Sequence, residues 1–487
     1  MIIAKQPLVY HCMRIYENNI WKILGLLCIW ATASPEAVAQ APDTIFQVGK
    51  LEITGNRRTK AFIIARELDL MVGDTIHSRH LAARLERNRQ RVFNTTLFVY
   101  VKVLASKRGN QLAINIEVKE NWYLWAAPVF KLADRNFNEW WNERDRDLRR
   151  TTFGAFLYHA NFRGRKEKLR FAVETGFSDR LQVSYEIPYL DKKRQTGINV
   201  LARYRGFQNM AFNTANDKLV YTGPQDTEIK TQWEGLIQLQ RRRGFYEVHR
   251  LELGYIQDRI TDTVVQLNPY YHLNSSLVQR YFEVAYQYSH DTRDNVNYPI
   301  AGLVIVGSIR QRGLFPTDDL RSLELRVGGG YYRPLTNRWS WGLVGKWRFS
   351  YPQNQPFNQL RGLGYEEEFL RGFDLYVING TAFGLGKSSL RYRLWERILS
   401  LHFIPVKQFN TLPLAIYPTI FADAGYVRNR FPAREIQSTL SNQWLASVGV
   451  GLEIVALLNT TMRLNVSRNS IGQTNFFINM QKEFLIR

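Results

Sequence analysis

A two-residue hydrophobic alternation that starts near Asn121 and runs to the C-terminus at residue 487 constrains this chain more than any other feature. In Leu169-Phe171-Val173-Thr175-Phe177 the apolar residues share one face, while Arg170, Ala172, Glu174 and Gly176 take the other. Trp339-Trp341-Leu343-Gly345-Trp347-Phe349-Tyr351 alternates in the same way against Ser340, Lys346, Arg348 and Ser350. So do Leu251-Leu253-Tyr255, Val448-Val450-Leu452-Ile454 and Met462-Leu464-Val466. Successive side chains of a strand point to opposite faces, so each segment is a strand with one apolar and one polar side. A soluble sandwich shares that pattern. Two observations favour a membrane barrel: aromatic residues near strand ends (Tyr204, Tyr255, Tyr288, Trp339, Tyr351) suit interfacial girdles, and charges such as Arg391 and Arg393 on the opposite faces suit a wet lumen rather than a dry core. At roughly 9–11 residues per membrane strand, residues 121–487 hold an antiparallel barrel of about 16 strands.

The N-terminus is consistent with export. Lys22 precedes an apolar run from Ile23 to Ala33, and Ala37-Val38-Ala39 before Gln40 is a small-x-small cleavage site, so residues 1–39 read as a signal peptide. Met13 serves equally well as the true start. The apolar run is shorter than the ~20 residues a membrane helix needs. Both cysteines, Cys12 and Cys28, precede the cleavage point, which leaves the mature chain without disulfide or thiolate chemistry. The formal net charge of +22 fits a nucleic-acid partner, an anionic membrane surface or an Arg-lined interior. Export and a barrel argue against nucleic acid and make part of that charge a property of the lumen.

Residues 46–120 follow other rules. Phe46 to Thr54 alternates toward a Gly55-Asn56 turn. Thr59 to Leu70 and Ser78 to Phe93 carry helical spacing, with Thr59 and Ser78 placed to cap, and Leu97–Leu104 and Gln111–Lys119 are extended. The order β-α-α-β-β is a compact α+β domain.

This domain resembles a polypeptide-transport-associated (POTRA) domain in its Gly55-Asn56 turn, its Gly73-Asp74 between the helices, Leu97-Phe98-x-x-Val101 and Ile116-x-Val118-x-Glu120. The barrel portion resembles the BamA/TamA superfamily of outer-membrane assembly and translocation proteins. The matching residues are Asn161-Phe162-Arg163-Gly164, Tyr185-x-x-Pro188-Tyr189, Asp291-x-Arg293-Asp294 with Pro299 and Gly302, Leu370-Arg371-Gly372-Phe373, and Phe421-x-Asp423-x-Gly425. No single motif is specific; their joint order is.

The resemblance implies a non-enzymatic factor of the bacterial outer membrane, with its POTRA domain in the periplasm, that captures unfolded polypeptide clients by strand addition and works without a cofactor. Outer-membrane lipid surrounds it, and periplasmic or lipoprotein partners fit the same role. A passive pore and a dedicated two-partner-type transporter are the alternatives. The resemblance further implies a loop-anchor motif of Arg371, Gly372, Phe373, Phe421, Asp423 and Gly425, with Arg371 reaching Asp423 inside the lumen. On the strand carrying this acceptor, Ile420, Ala422 and Ala424 alternate to the lipid side. One departure stands out: Arg391 occupies the place where the family carries a second acid. This makes Glu453 the candidate substitute and implies that Arg391→Glu is tolerated or tightens the loop.

Other chemistry fails on spacing. Gly386-Lys387-Ser388 lacks the first glycine of a phosphate loop, no Gly-x-Ser-x-Gly occurs, and His77 and His80 lack a third metal ligand nearby.

Overall fold

The computed structural model describes residues 43–132, 140–141, 145–223, 225, 227–365, 368–400, 411–431, 438–456 and 461–480. The expected signal segment, residues 1–39, lies outside them.

The first unit comprises β1 (Ile45–Thr54), α1 (Ala61–Ala65), β2 (Thr75–His77), α2 (Ser78–Phe93), β3 (Phe98–Arg108) and β4 (Gln111–Glu120). Its sheet order is β2-β1-β4-β3, with β1 parallel to β4 and the other pairs antiparallel. Alternate residues of β1 and β4 (Phe46, Val48, Leu112, Ile114, Ile116) pack against Ile63, Ile64 and Val92 of the helices. Fully burying such a side chain is worth roughly 1.5–3 kcal/mol. Gly55 turns the chain at φ +89°, where an added Cβ would lie 2.0 Å from the Val118 carbonyl oxygen.

Two local expectations need correction. The helix expected over residues 59–70 is only five residues long, because after Ala65 the backbone tightens to i→i−3 bonds (Glu67 to Ile64, Leu68 to Ala65) and turns away. Neither Thr59 nor Ser78 caps a helix. The Thr59 hydroxyl sits 2.8 Å from the Tyr123 hydroxyl and accepts from the Asn161 amide at 2.9 Å, and Ser78 bonds to Thr44 and Asp43. The short strand β2, pairing with the start of β1, is an addition to the expected order.

The second unit is a closed antiparallel barrel. Its wall runs through β5 (Leu124–Leu132), β6 (Thr151–Phe162), β7 (Glu167–Gly176), β8 (Ser178–Ile187) and β9 (Thr196–Phe207); after a separate hairpin of β10 (Ala211–Ala215) and β11 (Lys218–Tyr221), it continues with β12 (Lys230–Arg243), β13 (Glu247–Ile260), β14 (Val278–Asp291), β15 (Gly302–Arg312), β16 (Ser322–Pro334) and β17 (Trp339–Tyr351). The wall is completed by β18 (Ala382–Tyr392), β19 (Trp395–Ser400), β20 (Thr411–Arg428), β21 (Trp444–Val455), β22 (Thr461–Asn469) and β23 (Thr474–Met480), which meets β5. Both β18 and β19 pair with β20, so they are halves of one strand, and the wall among the described residues has sixteen strands. Arg393 lies in the break between them and pairs with Glu396 at 3.0 Å, so its charge is not a lumen charge as expected. Phe171, Leu253, Trp347 and Val448 stand exposed on the outer face, where lipid replaces water. No helix among the described residues is long and apolar enough to cross a membrane.

The POTRA domain docks on the turns at one end of the barrel, here the proximal rim. Lys60 N–H donates to the Gly164 carbonyl at 2.9 Å in the β6–β7 turn, and Gly164 (φ +72°) has no room for a Cβ, which would fall 2.1 Å from the Arg58 carbonyl oxygen. Arg66 Nε donates to the Arg194 carbonyl at 2.7 Å, and Tyr189 completes the POTRA core. Asn94 holds both the Arg293 carbonyl (2.9 Å) and the Val296 N–H (3.2 Å). Glu67 is buried and takes two parallel bonds from Arg242 of β12, at 2.5 and 2.6 Å. Three of the sequence motifs (Asn161 to Gly164, Tyr185 to Tyr189 and Asp291 to Asp294) thus converge on this contact.

Burial pushes the Glu67 carboxyl up, but the Arg242 bonds and the charges of Arg242, Lys166 and Arg66 outweigh it and hold the group below the ordinary glutamate range. A depressed carboxylate contributes docking stability above that range and loses it as pH falls through and below about 4. Spin labels on Lys102 and Lys193 should therefore give a narrow distance distribution at neutral pH that broadens on acidification. Arg242→Ala, which strands a buried charge at a cost of about 3–5 kcal/mol, should broaden it at neutral pH. A distribution that stays narrow in the variant would show that this pair does not set the orientation.

Candidate functional site

Between β17 and β18 the chain makes a long excursion, residues 352–381, that folds back into the lumen. Leu370 and Phe373 bury themselves with Leu363, Ile378 and the wall residues Phe383, Leu385, Val427 and Leu445. That apolar contact fixes the segment between them. Arg371 there donates from Nε to Asp423 Oδ2 at 2.8 Å and from Nη2 to Oδ1 at 2.5 Å, a bidentate pair, while its backbone N–H lies 3.3 Å from the same carboxylate. The guanidinium lies 3.9 Å from the centroid of the Phe421 ring.

Strand alternation on β20 points Phe421 and Asp423 inward, leaving Ile420 57% exposed outside. Gly425 completes the spacing for a steric reason: a Cβ there would lie 2.8 Å from Leu363 Cδ1. Gly372, at φ +86°, turns the loop so that its carbonyl accepts from Asn469 (2.8 Å) and Asn475 (3.3 Å), and its N–H donates to Asp374 at 2.8 Å. Asp374 in turn accepts from Asn479 at 3.2 Å. The loop thereby touches β18, β20, β22 and β23, the last being the strand that closes the barrel against β5. Asn469, Asn475 and Asn479 were missed by the motif reading, although the inward alternation Asn475-x-Phe477-x-Asn479 is visible in the sequence.

Arg391 and Glu453 take a different place from the one expected. The lumen residue of β18 beside Arg371 is Ser389, whose Oγ accepts from Nη1 at 3.1 Å. In register, Lys387 faces Asp423 and Arg391 faces Thr419, four residues or about 13 Å further toward the proximal rim. There Arg391 Nε lies 3.2 Å from Glu453 Oε2 and Nη1 donates to the Pro299 carbonyl at 3.1 Å. Glu453 also accepts from the Tyr298 hydroxyl (2.6 Å) and Arg463 (3.0 Å). Glu453 therefore does not substitute at Arg371; it neutralises Arg391 and ties down the β14–β15 turn. Contrary to expectation, Arg391→Glu would not tighten the loop, because it would set two buried carboxylates together.

Residues 161–456 match the Omp85 superfamily domain. The chain belongs to the Omp85 superfamily. No curated protein matches it in sequence. Among solved structures, it is similar to BamA from Haemophilus ducreyi lacking POTRA domains 1–3, at 16% identity and a TM-score of 0.50 over 89% of this chain and 83% of that one. It is similar also to CdiB from Escherichia coli, at 11% identity and a TM-score of 0.50 over 92% of each. These are likenesses of fold. Together they make this Omp85 protein an outer-membrane β-barrel with a POTRA-like domain in front.

At the far end of the Omp85 barrel, Asp217 in the β10–β11 turn joins three loops. Its carbonyl accepts from Val377 N–H at 2.8 Å, and its carboxylate accepts from Thr439 N–H and Oγ1 at 2.8 and 2.7 Å and from Ser438 Oγ at 3.1 Å. His77 is bonded to Asp43 at 2.8 Å, and no group of metal-ligating side chains occurs among the described residues.

Arg371→Ala and Asp423→Ala should each cost about 3–5 kcal/mol by stranding a buried charge, and the double change should cost clearly less than their sum. Arg391→Glu should lower the unfolding temperature. Thermal unfolding in detergent, with protease cleavage in residues 352–381 as the local readout, measures both. Additive losses from the pair would show that Arg371 and Asp423 act separately.

Proposed function

We propose that this Omp85 protein is a non-enzymatic outer-membrane assembly or translocation factor. Its POTRA-like domain lies in the periplasm and captures an unfolded client strand, and the Arg371–Asp423 pair holds the loop of residues 352–381 as an internal brace beside the seam of β5 and β23. The observation that carries the reading is the free edge of β3. Among the described residues it is the last strand of its sheet, with one edge unpaired, and it borders a cleft of about 690 Å³ between the POTRA domain and the proximal rim. Val99, Tyr100 and Val101 line one side of that cleft, and Ile398, Leu414 and Tyr417 line the other. An extended peptide added there gains backbone hydrogen bonds without dependence on sequence and meets apolar walls on the barrel side.

A lumen crossed by the 352–381 loop, under loops joined through Asp217, speaks against a passive pore. It favours lateral handling of the client at the wall. Residues 1–39 fit this placement as a signal peptide.

Photo-crosslinking from Tyr100 in living cells tests the reading. Nascent barrel proteins in the adducts are the expected result. One secreted protein alone would instead make the chain a dedicated transporter, and no adduct at all would leave a pore or structural barrel.

A further inference from the structure

The alternation that turns Arg242 inward to Glu67 turns its neighbours outward. Arg241 and Arg243 are exposed on the outer face of β12 at the proximal rim. Lys192 and Lys193 are exposed in the adjoining β8–β9 turn, which is tied to β12 by a 2.7 Å bond from Arg242 N–H to the Gln195 carbonyl. None of these four cations has an ion pair among the described residues. The carboxylates nearby are engaged or offset: Asp191 accepts from the N–H groups of Gln195 (2.8 Å) and Thr196 (2.7 Å), while Glu247, across from Arg243, lies 3.8 Å from His290.

Immediately along the strands toward the membrane centre, the outer face is apolar, with Val200, Ile237, Leu239 and Leu251 all 43–50% exposed. Beside Arg241 stands His249, bonded to the Tyr286 hydroxyl at 2.7 Å and 5.2 Å from the Tyr288 ring, the amphipathic side chains of a membrane interface.

We propose that this rim is a binding site for an anionic phospholipid. Its phosphate and acidic headgroup engage Arg241, Arg243, Lys192 and Lys193, and its acyl chains lie on Ile237, Leu239 and Leu251. Guanidinium groups bind phosphate oxygens bidentately, and long basic side chains reach from an apolar wall to the headgroup level. A nucleic acid or an acidic protein would match the charge but not the contiguous lipid-facing strip above it. Four unpaired cations in one cluster favour a net-negative headgroup over a zwitterionic one. On the opposite side of the rim, by contrast, Arg338 donates to the Tyr392 hydroxyl at 3.0 Å and Arg393 is paired with Glu396.

The full chain, stripped of lipid in detergent and offered equal amounts of phosphatidylglycerol and phosphatidylcholine, should retain the former about fivefold or more over the latter by native mass spectrometry. The Lys192→Gln/Lys193→Gln/Arg241→Gln/Arg243→Gln variant should lose that preference, and Arg333→Gln, an exposed rim cation elsewhere, should keep it. Should the fourfold variant fail to fold, Arg241→Gln/Arg243→Gln alone should at least halve the preference. Equal retention of both lipids by the unaltered chain, or a preference that survives in the folded variants, would overturn the proposal. Binding in micelles does not depend on client handling, so this outcome is separable from the crosslinking result.

Discussion

A carboxylate on β16 shows what the rest of the structure depends on. Glu324 lies 2.6 Å from Arg326 Nε, 2.8 Å from Arg348 Nη2 and 3.4 Å from Arg312 Nη1, so one buried acid serves three guanidiniums on three neighbouring strands. Arg310 continues the chain of charges to Glu283 and to Glu252 (3.0 Å), and Arg203 pairs with Glu234 at 2.7 Å. Closing a sheet whose outer face must be apolar forces every second residue inward, and an inward charge left unpaired is expensive. Arg348 shows how the loop enters this arrangement, for it also donates to the carbonyls of Arg361 and Gln359. Arg326 likewise reaches Glu368 at 3.5 Å. The inserted loop thus supplies acceptors that the wall lacks, and Arg371 offers a charge in return to Asp423.

The faces of the barrel were legible because period two is local: Phe421 inward and Ile420 outward need no knowledge of neighbouring strands. Features that depend on register were not. Lys387, Ser389 and Arg391 share one face of β18, and only the pairing of β18 with β20 sets Lys387 opposite Asp423 and Arg391 opposite Thr419. A slip of two residues preserves every face and changes every partner. The helix caps failed for a related reason. Thr59 and Ser78 have the right chemistry for a cap, yet Thr59 is claimed by Asn161, more than a hundred residues away, and a long-range bond of that kind leaves no local trace.

The same distance effect hid the role of the barrel motifs. Asn161-Phe162-Arg163-Gly164 reads in sequence as the end of a strand and a turn, and as such it is accurate. Both its asparagine and its glycine nevertheless answer to the POTRA domain: Gly164 because the Arg58 backbone leaves no space for a Cβ, and Asn161 because its amide donates to the Thr59 hydroxyl while its carbonyl oxygen accepts from Lys166 N–H in the barrel turn. The POTRA-like domain is held by three barrel turns and by Arg242 of β12, which fixes its orientation on the rim. It presents β3 at a fixed place under the rim rather than sweeping a volume.

The surplus of basic residues takes on a different meaning once the lumen is seen. An Arg-lined interior was expected to carry part of the net +22, but the lumen arginines described above stand mostly beside glutamates, in clusters such as Glu324 with Arg312, Arg326 and Arg348 or Glu453 with Arg391 and Arg463. Such clusters carry a modest local excess. On the outer rim beside the POTRA domain, Lys192, Lys193, Arg241 and Arg243 have no ion pair among the described residues, and there a lysine or arginine is favoured by the anionic surface of a bilayer rather than by another side chain. The same residue type therefore does two jobs set by strand parity alone: Arg242 turned inward holds the domain, and Arg241 and Arg243 turned outward meet the membrane.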